Sequence, residues 1–211
     1  MYYLIAYVLF FGYTEFMPKI VDHEERRERI AKAMWQVILD KGMEGATVRN
    51  IAQEAGLSLG ALRHYFQNQD DLLVYAMTLV KDRVTARIEA IMKRGLPPKE
   101  MVMAMLLEIV PINEETRIEM DVWFVFVAHV KHRKDTVGLI NDGLFEAFQK
   151  MVGYLHSTGW LKEGLSLEFE IERLYALIDG LAMHALLDPD RVDRSRVIDV
   201  IRYHLDSICR A

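Results

Sequence analysis

The chain has 211 residues, of which 52% are apolar and 27% charged, so it can bury a core and is not a disordered polymer. Five prolines, with long stretches free of both proline and glycine, favour helices over sheets. The single cysteine, Cys209, excludes an internal disulfide framework and a cysteine-based zinc cluster. A lone thiol is typical of a reducing compartment, and we therefore expect a cytoplasmic protein.

The net charge of −5 hides an asymmetry along the chain. Residues 17–94 carry 13 basic and 11 acidic side chains, a net of +2, whereas residues 95–211 carry 13 basic and 19 acidic ones, a net of −6. Attraction to phosphate depends on local rather than total charge. The N-terminal third therefore permits nucleic-acid binding, and the acidic remainder would be held away from DNA.

Residues 1–16 (MYYLIAYVLFFGYTEF) differ from the rest of the chain because they lack Lys and Arg. They have neither the basic start nor the small-residue cleavage site of a signal peptide. The apolar run from Tyr2 to Tyr13 is shorter than the roughly 20 residues that cross a bilayer. We expect no stable membrane association and interpret 1–16 as an atypical extension from an upstream start codon, with Met17 as the native start. A hydrophobic arm that packs on the protein or touches a membrane is the alternative.

The rest of the chain shows helical periodicity and helix start and stop signals, without sustained two-residue alternation. Asp22, Thr47 and Ser58 stand where helix N-caps are expected, and Gly42 and Gly56 stand just past helix ends. The sequence therefore predicts an all-α protein. Its nine predicted helices span about 23–41, 48–55, 59–68, 70–93, 99–110, 114–131, 136–157, 167–187 and 193–207.

The second and third predicted helices have the pattern of a helix-turn-helix. Ile51, Ala52 and Ala55 form the inner face of the first helix of the pair, and Leu57 would fill the corner between the helices. Gly56 permits the left-handed backbone that the turn requires. The pattern therefore predicts that the third helix is presented to the major groove of DNA.

Several residues of this motif are candidates for contact with DNA. Thr47 and Ser58 place hydroxyls and free N–H groups at helix N-termini, where a phosphate can bind. Gly60 allows close approach of the backbone, and Arg63 can reach a guanine edge or a phosphate. We assign the outer side of the third helix to Leu59, Gly60, Arg63 and His64. Leu62 and Phe66 lie on its other side and should anchor it to the core.

The string TVRNIAQEAGLSLGALRHYFQNQDDL, residues 47–72, is more specific than a helical hairpin. Residues 24–75 resemble the N-terminal domain of the tetracycline-repressor (TetR) family, whose pattern is T-x-x-x-I-A-x-x-A-G-V-S-x-G-x-x-Y-x-Y-F-x-x-K-x-x-L. The resemblance implies a homodimer of helical subunits with a ligand-responsive C-terminal domain. It also implies DNA contact by Thr47, Ser58, Gly60, Arg63, His64 and Tyr65, although Tyr65 could partly serve the core.

Two positions depart from the family pattern. Arg63 replaces the usual tyrosine, and Gln69 replaces the usual lysine at the start of the fourth helix. Arg63 can still bind a phosphate, whereas the neutral Gln69 should weaken the second phosphate contact. With Gly95 and Pro97-Pro98 as a boundary, we predict a helix-turn-helix domain at 17–68, a linking helix at 69–95, and a ligand-binding and dimerisation domain at 96–211.

Two apolar helices near the C-terminus predict a dimer interface. Residues 170–189 (EIERLYALIDGLAMHALLDP) resemble the penultimate helix of a TetR subgroup that includes the choline-responsive betaine-operon repressor. In that subgroup the last two helices pair with those of the second subunit in a four-helix interface. The predicted interface residues are Leu174, Leu177, Ile178, Leu181, Ala185, Val197, Ile201 and Leu205. The alternative is that these faces serve only the core of their own chain.

The segment 120–130 (MDVWFVFVAHV) is apolar almost all round, which is typical of a helix at the centre of its domain. Methionines nearby in the sequence would suit a pliable pocket. We predict a pocket lined by Met103, Glu119, Trp123, Phe126, Met151 and Tyr154. A cationic ligand would suit Glu119, Asp121 and Trp123 through charge and cation–π attraction. A plain apolar core is the alternative.

Together these patterns indicate a DNA-binding transcriptional regulator that responds to a small molecule and binds a palindromic operator as a homodimer. Repression is the outcome expected from the resemblance. The chain lacks a glycine-rich phosphate loop, a metal-binding histidine pair and a nucleophile elbow, so we expect no enzyme activity, no cofactor and no metal. The alternative is a helical ligand-binding or adaptor protein with weak or lost DNA binding.

Overall fold

A computed structural model describes residues 23–130 and 143–210. These residues form nine helices and no strand, which confirms the predicted all-α fold within the described ranges. The helices are α1 (His23–Gly45), α2 (Val48–Glu54), α3 (Leu59–Tyr65), α4 (Gln69–Met92), α5 (Pro98–Leu107), α6 (Glu114–Val130), α7 (Leu144–Ser157), α8 (Leu167–Leu187) and α9 (Arg194–Ile208). The predicted extension 1–16 lies outside the described residues, as does the beginning of the helix predicted over 136–157.

Side-chain caps set the starts of four helices. The oxygens of Thr47, Ser58, Asn68 and Asp193 each accept a hydrogen bond from the backbone N–H three residues later, at 2.8–3.2 Å. These bonds satisfy donors that a helix N-terminus leaves without a partner. The helical geometry of α1 is interrupted at Gly42, where φ is +66°, which confirms that the first helix ends just before this glycine. A short helical segment then continues to Gly45.

The buried apolar side chains form two cores. The first joins α1, α2, α3 and the N-terminal half of α4, and it also takes Val122 and Phe126 from α6. The second joins α5, α7, α8 and α9 with Ile91 from the C-terminal end of α4. Because α4 contributes to both cores and α6 reaches the first, these two helices connect the helix-turn-helix to the C-terminal bundle. Among the described helices, none has the length and apolar character needed to cross a membrane.

Candidate functional site

The turn between α2 and α3 is closed by two backbone hydrogen bonds. The N–H of Gly56 donates to the carbonyl of Gln53 at 3.1 Å, and the N–H of Leu57 donates to that of Ala52 at 2.8 Å. Gly56 has a φ of +66°, a conformation that residues with a Cβ rarely adopt. Leu57 is half-buried against the first core, as predicted, so the turn holds α3 at a defined angle to α2.

Helix α3 has one buried side and one open side. Leu62 and Phe66 are buried in the first core, whereas Arg63 and His64 are exposed. Leu59 is also exposed, and a Cβ added to Gly60 would meet no atom within 4 Å. The N-caps Thr47 and Ser58 are exposed as well. The residues predicted to face DNA therefore lie at the surface of the described structure, apart from the half-buried Tyr65.

Tyr65 belongs to an aromatic cluster with two histidines. Its ring centroid lies 4.8 Å from that of His23 and 5.5 Å from that of His64. His23 begins α1, so the structure adds a residue to the candidate surface that sequence reasoning missed. Nothing in the local pattern could have found it, because His23 and Tyr65 are far apart in the chain and meet only through packing.

The start of α4 is acidic. Gln69 is its first residue, and Asp70 and Asp71 follow in the first turn. Asn68 caps the helix by accepting from the N–H of Asp71 at 2.8 Å. Carboxylates beside this N-terminus repel phosphate, so the loss of a lysine at position 69 is not compensated within the first turn.

Arg27 of α1 lies against two aromatic rings. Its guanidinium lies 5.1 Å from the centre of the Phe66 ring and 4.2 Å from that of Tyr75, in cation–π geometry. The Tyr75 hydroxyl donates to Glu24 Oε1 at 2.5 Å, and burial together with this carboxylate raises the pKa of Tyr75 above its usual value. These contacts tie α1 to the end of α3 and to α4.

A cavity of about 180 Å³ lies between α4, α6, α7, α8 and the residues that follow α5. Three of the six predicted pocket residues, Glu119, Trp123 and Met151, line it. Among the helices, α4 contributes the largest number of apolar lining residues, although sequence reasoning did not assign α4 to the pocket. The α4 residues concerned are Met77, Val80, Val84 and Ile88.

The other three predicted pocket residues lie elsewhere. Phe126 is buried in the first core, Met103 packs against the second core, and Tyr154 is exposed on α7. Periodicity identifies these side chains as apolar, but several faces of a bundle are apolar at once. Asp121, which was expected to attract a cation, does not line the cavity either. Burial raises the pKa of Asp121, and the nearby Arg117 guanidinium, at 3.6 Å, opposes that shift.

The Glu119 carboxylate is nearly fully buried and already has a cationic partner. Arg87 donates from Nη1 to Glu119 Oε1 at 3.1 Å and from Nη2 to Oε2 at 2.6 Å. The Arg87 Nε also donates to Glu108 Oε2 at 2.7 Å, and Nη1 to Glu115 Oε1 at 3.3 Å. Hydrogen bonding to Glu119 raises the pKa of Arg87 above its ordinary value. Arg87 thus joins α4 to the end of α5 and to α6.

The predicted dimer interface requires correction. Six of its eight residues are buried within the single chain, so they are closed to a partner: Leu174, Ile178, Leu181, Val197, Ile201 and Leu205. Leu177 and Ala185 are half-buried. The large exposed apolar side chains of α8 and α9 are Phe169, Met183, Leu187 and Tyr203. An amphipathic pattern indicates which residues avoid water but not what covers them. Here these apolar faces pack in the core of their own chain.

A capped helix-turn-helix with an exposed third helix, joined to a helical bundle with an apolar cavity, defines the class of DNA-binding transcriptional regulators. Comparison with protein families agrees with this class. Residues 30–76 match bacterial regulatory proteins of the tetR family, and residues 98–210 match the C-terminal domain of BetI-type transcriptional repressors. The chain therefore belongs to the TetR family of transcriptional regulators and has a BetI-type C-terminal domain. The predicted family and class are confirmed, and the members of this family are not enzymes.

Individual relatives agree. The chain is 55% identical over 193 residues to the HTH-type transcriptional regulator PksA of Bacillus subtilis, covering 92% of this chain and 94% of that protein. It is 28% identical over 197 residues to BetI of Escherichia coli K12, covering 90% and 96%. A transcriptional regulator from Rhodococcus sp. Rha1 has a similar structure, with a TM-score of 0.76 and 26% identity over 86% of this chain and 95% of that one. A regulator from Saccharomonospora viridis solved with choline shares the fold at a TM-score of 0.72 and 22% identity, covering 89% and 100%.

Proposed function

We propose that this TetR-family regulator is a homodimer that binds a palindromic operator and represses transcription, and that a small molecule in the cavity releases it. The observation that carries the proposal is the exposed side of α3, which a buried Leu62 and Phe66 hold in place. A regulator of this kind acts on the chromosome, so its proposed location is the cytoplasm.

The proposed DNA surface combines base and phosphate contacts. Arg63 and His64 read base edges or bind phosphate from the exposed side of α3, and Gly60 permits close approach. The capped N-termini at Thr47 and Ser58 bind phosphate through the free N–H groups of α2 and α3. Leu59 and Tyr65 provide apolar and aromatic contact at the two ends of α3.

Selection of operators from random duplexes, followed by a gel shift, tests this surface. Arg63→Ala should weaken operator binding by roughly tenfold or more, because a bidentate arginine contact contributes about 1–3 kcal/mol. Arg94→Ala is the matched control, since Arg94 is exposed just beyond the far end of α4. That helix separates it from α3 by about 36 Å. Equal affinity of the Arg63 and Arg94 variants would show that α3 does not enter the groove.

The second candidate is a helical ligand-binding or adaptor protein with weak or lost DNA binding. Gln69 and the acidic residues Asp70 and Asp71 favour it, because they weaken a phosphate contact at the start of α4. The same selection separates the two functions: recovery of a duplex that the wild-type protein binds in a salt-dependent way supports the regulator. Failure to recover any duplex supports the adaptor.

For the dimer, we propose that α8 and α9 pair with the same helices of a second copy through their exposed apolar residues. Phe169 lies near the start of α8 and Leu187 at its end, with side chains 71% and 76% exposed. Tyr203 on α9 is 78% exposed. Large apolar side chains along two neighbouring helices favour burial against a partner. A second copy is the occupant that an operator with two half-sites requires.

The effector mechanism follows from linkage. A ligand shifts the regulator only if it binds one arrangement of the two DNA-reading domains more tightly than the other. Helices α4 and α6 line the cavity and also pack into the first core, so ligand-dependent movement of either helix would change the position of α3. Glu119, which was predicted to attract a cationic ligand, lines the cavity and is also paired with Arg87.

A further inference from the structure

The cavity has an apolar body and a polar end. Its apolar wall includes Val80, Val84 and Ile88 of α4 and Trp123 of α6. At the polar end, Glu108 and Glu119 contribute to the lining, and both bind Arg87. A ligand that fills the cavity therefore places most of its surface on hydrocarbon and one group beside these carboxylates.

The guanidinium of Arg87 has no hydrogen-bonding capacity left for a ligand. An arginine has five N–H donors, and Arg87 makes five hydrogen bonds. They go to Glu108 Oε2, the Glu108 carbonyl, Glu115 Oε1 and the two oxygens of Glu119. An anionic ligand thus finds no open donor on this arginine.

The carboxylates still have capacity to accept. Each carboxylate oxygen has two lone pairs, so each Glu119 oxygen keeps one after binding Arg87. Glu108 Oε1 makes no hydrogen bond to any described residue. The cluster also holds three carboxylates around one guanidinium, which leaves an excess of negative charge. Lys81, the only basic residue among the described lining residues, is exposed, and its ammonium group can stay hydrated.

From this arrangement, and resting on the proposed function of the cavity, we propose a chemical class for the effector. It has an apolar body and, at one end, an N–H or O–H donor that Glu119 accepts. Glu119 is 4% exposed, so a donor that reaches it makes a hydrogen bond to a charged group shielded from water. A ligand with an anionic end is rejected, because it would meet like charge from Glu108 and Glu119.

Four probes with the same octyl chain test this class by isothermal titration and thermal shift on the full-length protein. Octylamine carries N–H donors and a positive charge, and octanol carries an uncharged O–H donor. Octyltrimethylammonium carries a positive charge without an N–H, and octanoate carries a negative charge. Octylamine and octanol should both bind. The affinity for octylamine should exceed those for octanoate and octyltrimethylammonium by on the order of tenfold, the value of one hydrogen bond to a charged group.

Two isosteric variants locate the contact. Glu119→Gln should remove most of the preference for octylamine over octanoate. Glu115→Gln should keep it, because Glu115 binds Arg87 at 3.3 Å but does not line this cavity. If Glu119→Gln does not fold, Glu108→Gln replaces it and should reduce the preference, since Glu108 lines the same polar end.

Three binding results would overturn the proposal: octanoate binds as tightly as octylamine, octyltrimethylammonium binds as tightly as octylamine, or neither octylamine nor octanol binds. An equal loss of the preference for octylamine over octanoate in the Glu119 and Glu115 variants would also overturn it. Operator binding without any probe is measured separately by gel shift. A wild-type protein that binds no operator contradicts the proposed function. One that binds its operator and yet prefers octanoate contradicts only the ligand class.

Discussion

Gly56 and Gly60 stand on either side of Ser58 in the helix-turn-helix, and the structure gives them different roles. Gly56 has a φ of +66° and closes the turn, so its role is conformational. Gly60 has helical backbone at the start of α3, with open space where a Cβ would be, so its role is proposed to be access to DNA. The same substitution at the two positions should therefore affect different properties.

Gly56→Ala should lower the free energy of unfolding by about 1 kcal/mol or more, because alanine is strained at positive φ. Gly60→Ala, the matched comparison, should leave that free energy unchanged or raise it by about 0.5–1 kcal/mol, because alanine favours a helix. It should nonetheless weaken operator binding, since its methyl group would face the groove in the proposed complex. Urea denaturation and gel shifts measure both quantities. A Gly60→Ala protein with unchanged operator affinity would show that DNA does not approach this position closely.

At the scale of the element, α9 illustrates how a helix can bury a titratable group. His204 is 8% exposed between apolar neighbours on the inner face of α9, and its Nε2 has no hydrogen-bond partner among the described residues. Burial, and to a smaller extent the charge of Arg173, lowers the pKa of His204 to about 4. The imidazole is thus held neutral where an exposed histidine would begin to gain a proton.

Because the folded pKa of His204 lies below the ordinary value of about 6.5, protonation favours the unfolded chain. The contribution of His204 to the free energy of unfolding is therefore fully present above about pH 6.5. It falls by roughly 2–3 kcal/mol in total as the pH drops toward about 4. His204→Leu should remove this dependence, so the difference in melting temperature from wild type should grow as the pH falls. His156→Leu, on an exposed face of α7, is the control. Parallel melting curves for wild type and His204→Leu would contradict the assignment.

At the scale of the whole molecule, the proposed dimer rests on where α8 and α9 leave apolar side chains exposed. The inner faces of α8 and α9 are used by the second core, which leaves Phe169, Met183, Leu187 and Tyr203 for a partner. Because α4 contributes to both cores and α6 lines the cavity and packs into the first core, a change at the cavity has a physical route to α3 in each subunit. Dimer and effector response are thus proposed on different surfaces of the same bundle.

Tyr203→Glu combined with Leu187→Glu should convert the dimer to a monomer, because the interface would then bury uncompensated charge. Size-exclusion chromatography with light scattering measures the mass. Operator affinity should fall as well, since the two half-sites would no longer be bound by one molecule. Met92→Glu, at an exposed methionine at the end of α4, is the matched control and should remain dimeric. A double variant that stays dimeric would place the interface elsewhere.

Most helix boundaries and the helix-turn-helix could be predicted from sequence because their signals are local. An N-cap such as Thr47 or Ser58 binds an N–H only three residues away, and Gly56 acts through its own φ. Gly42, which was predicted to end the first helix, likewise acts through its own φ of +66°. The contacts of Arg27 could not be predicted from local signals, because its partners Phe66 and Tyr75 come from distant segments of the chain.

The sequence by itself determined the all-α fold and the DNA-binding class, since periodicity, capping and motif spacing depend on neighbours in the chain. The family followed from the resemblance of residues 24–75. Only the tertiary structure decided how each apolar face is used. It assigned Leu174 and Ile201 to the core rather than to the surface, and it built the cavity wall from α4. It also paired Glu119 with Arg87. Burial from water stabilises an apolar side chain equally in a core, a cavity wall or an interface, so only the packing of distant segments separates these roles.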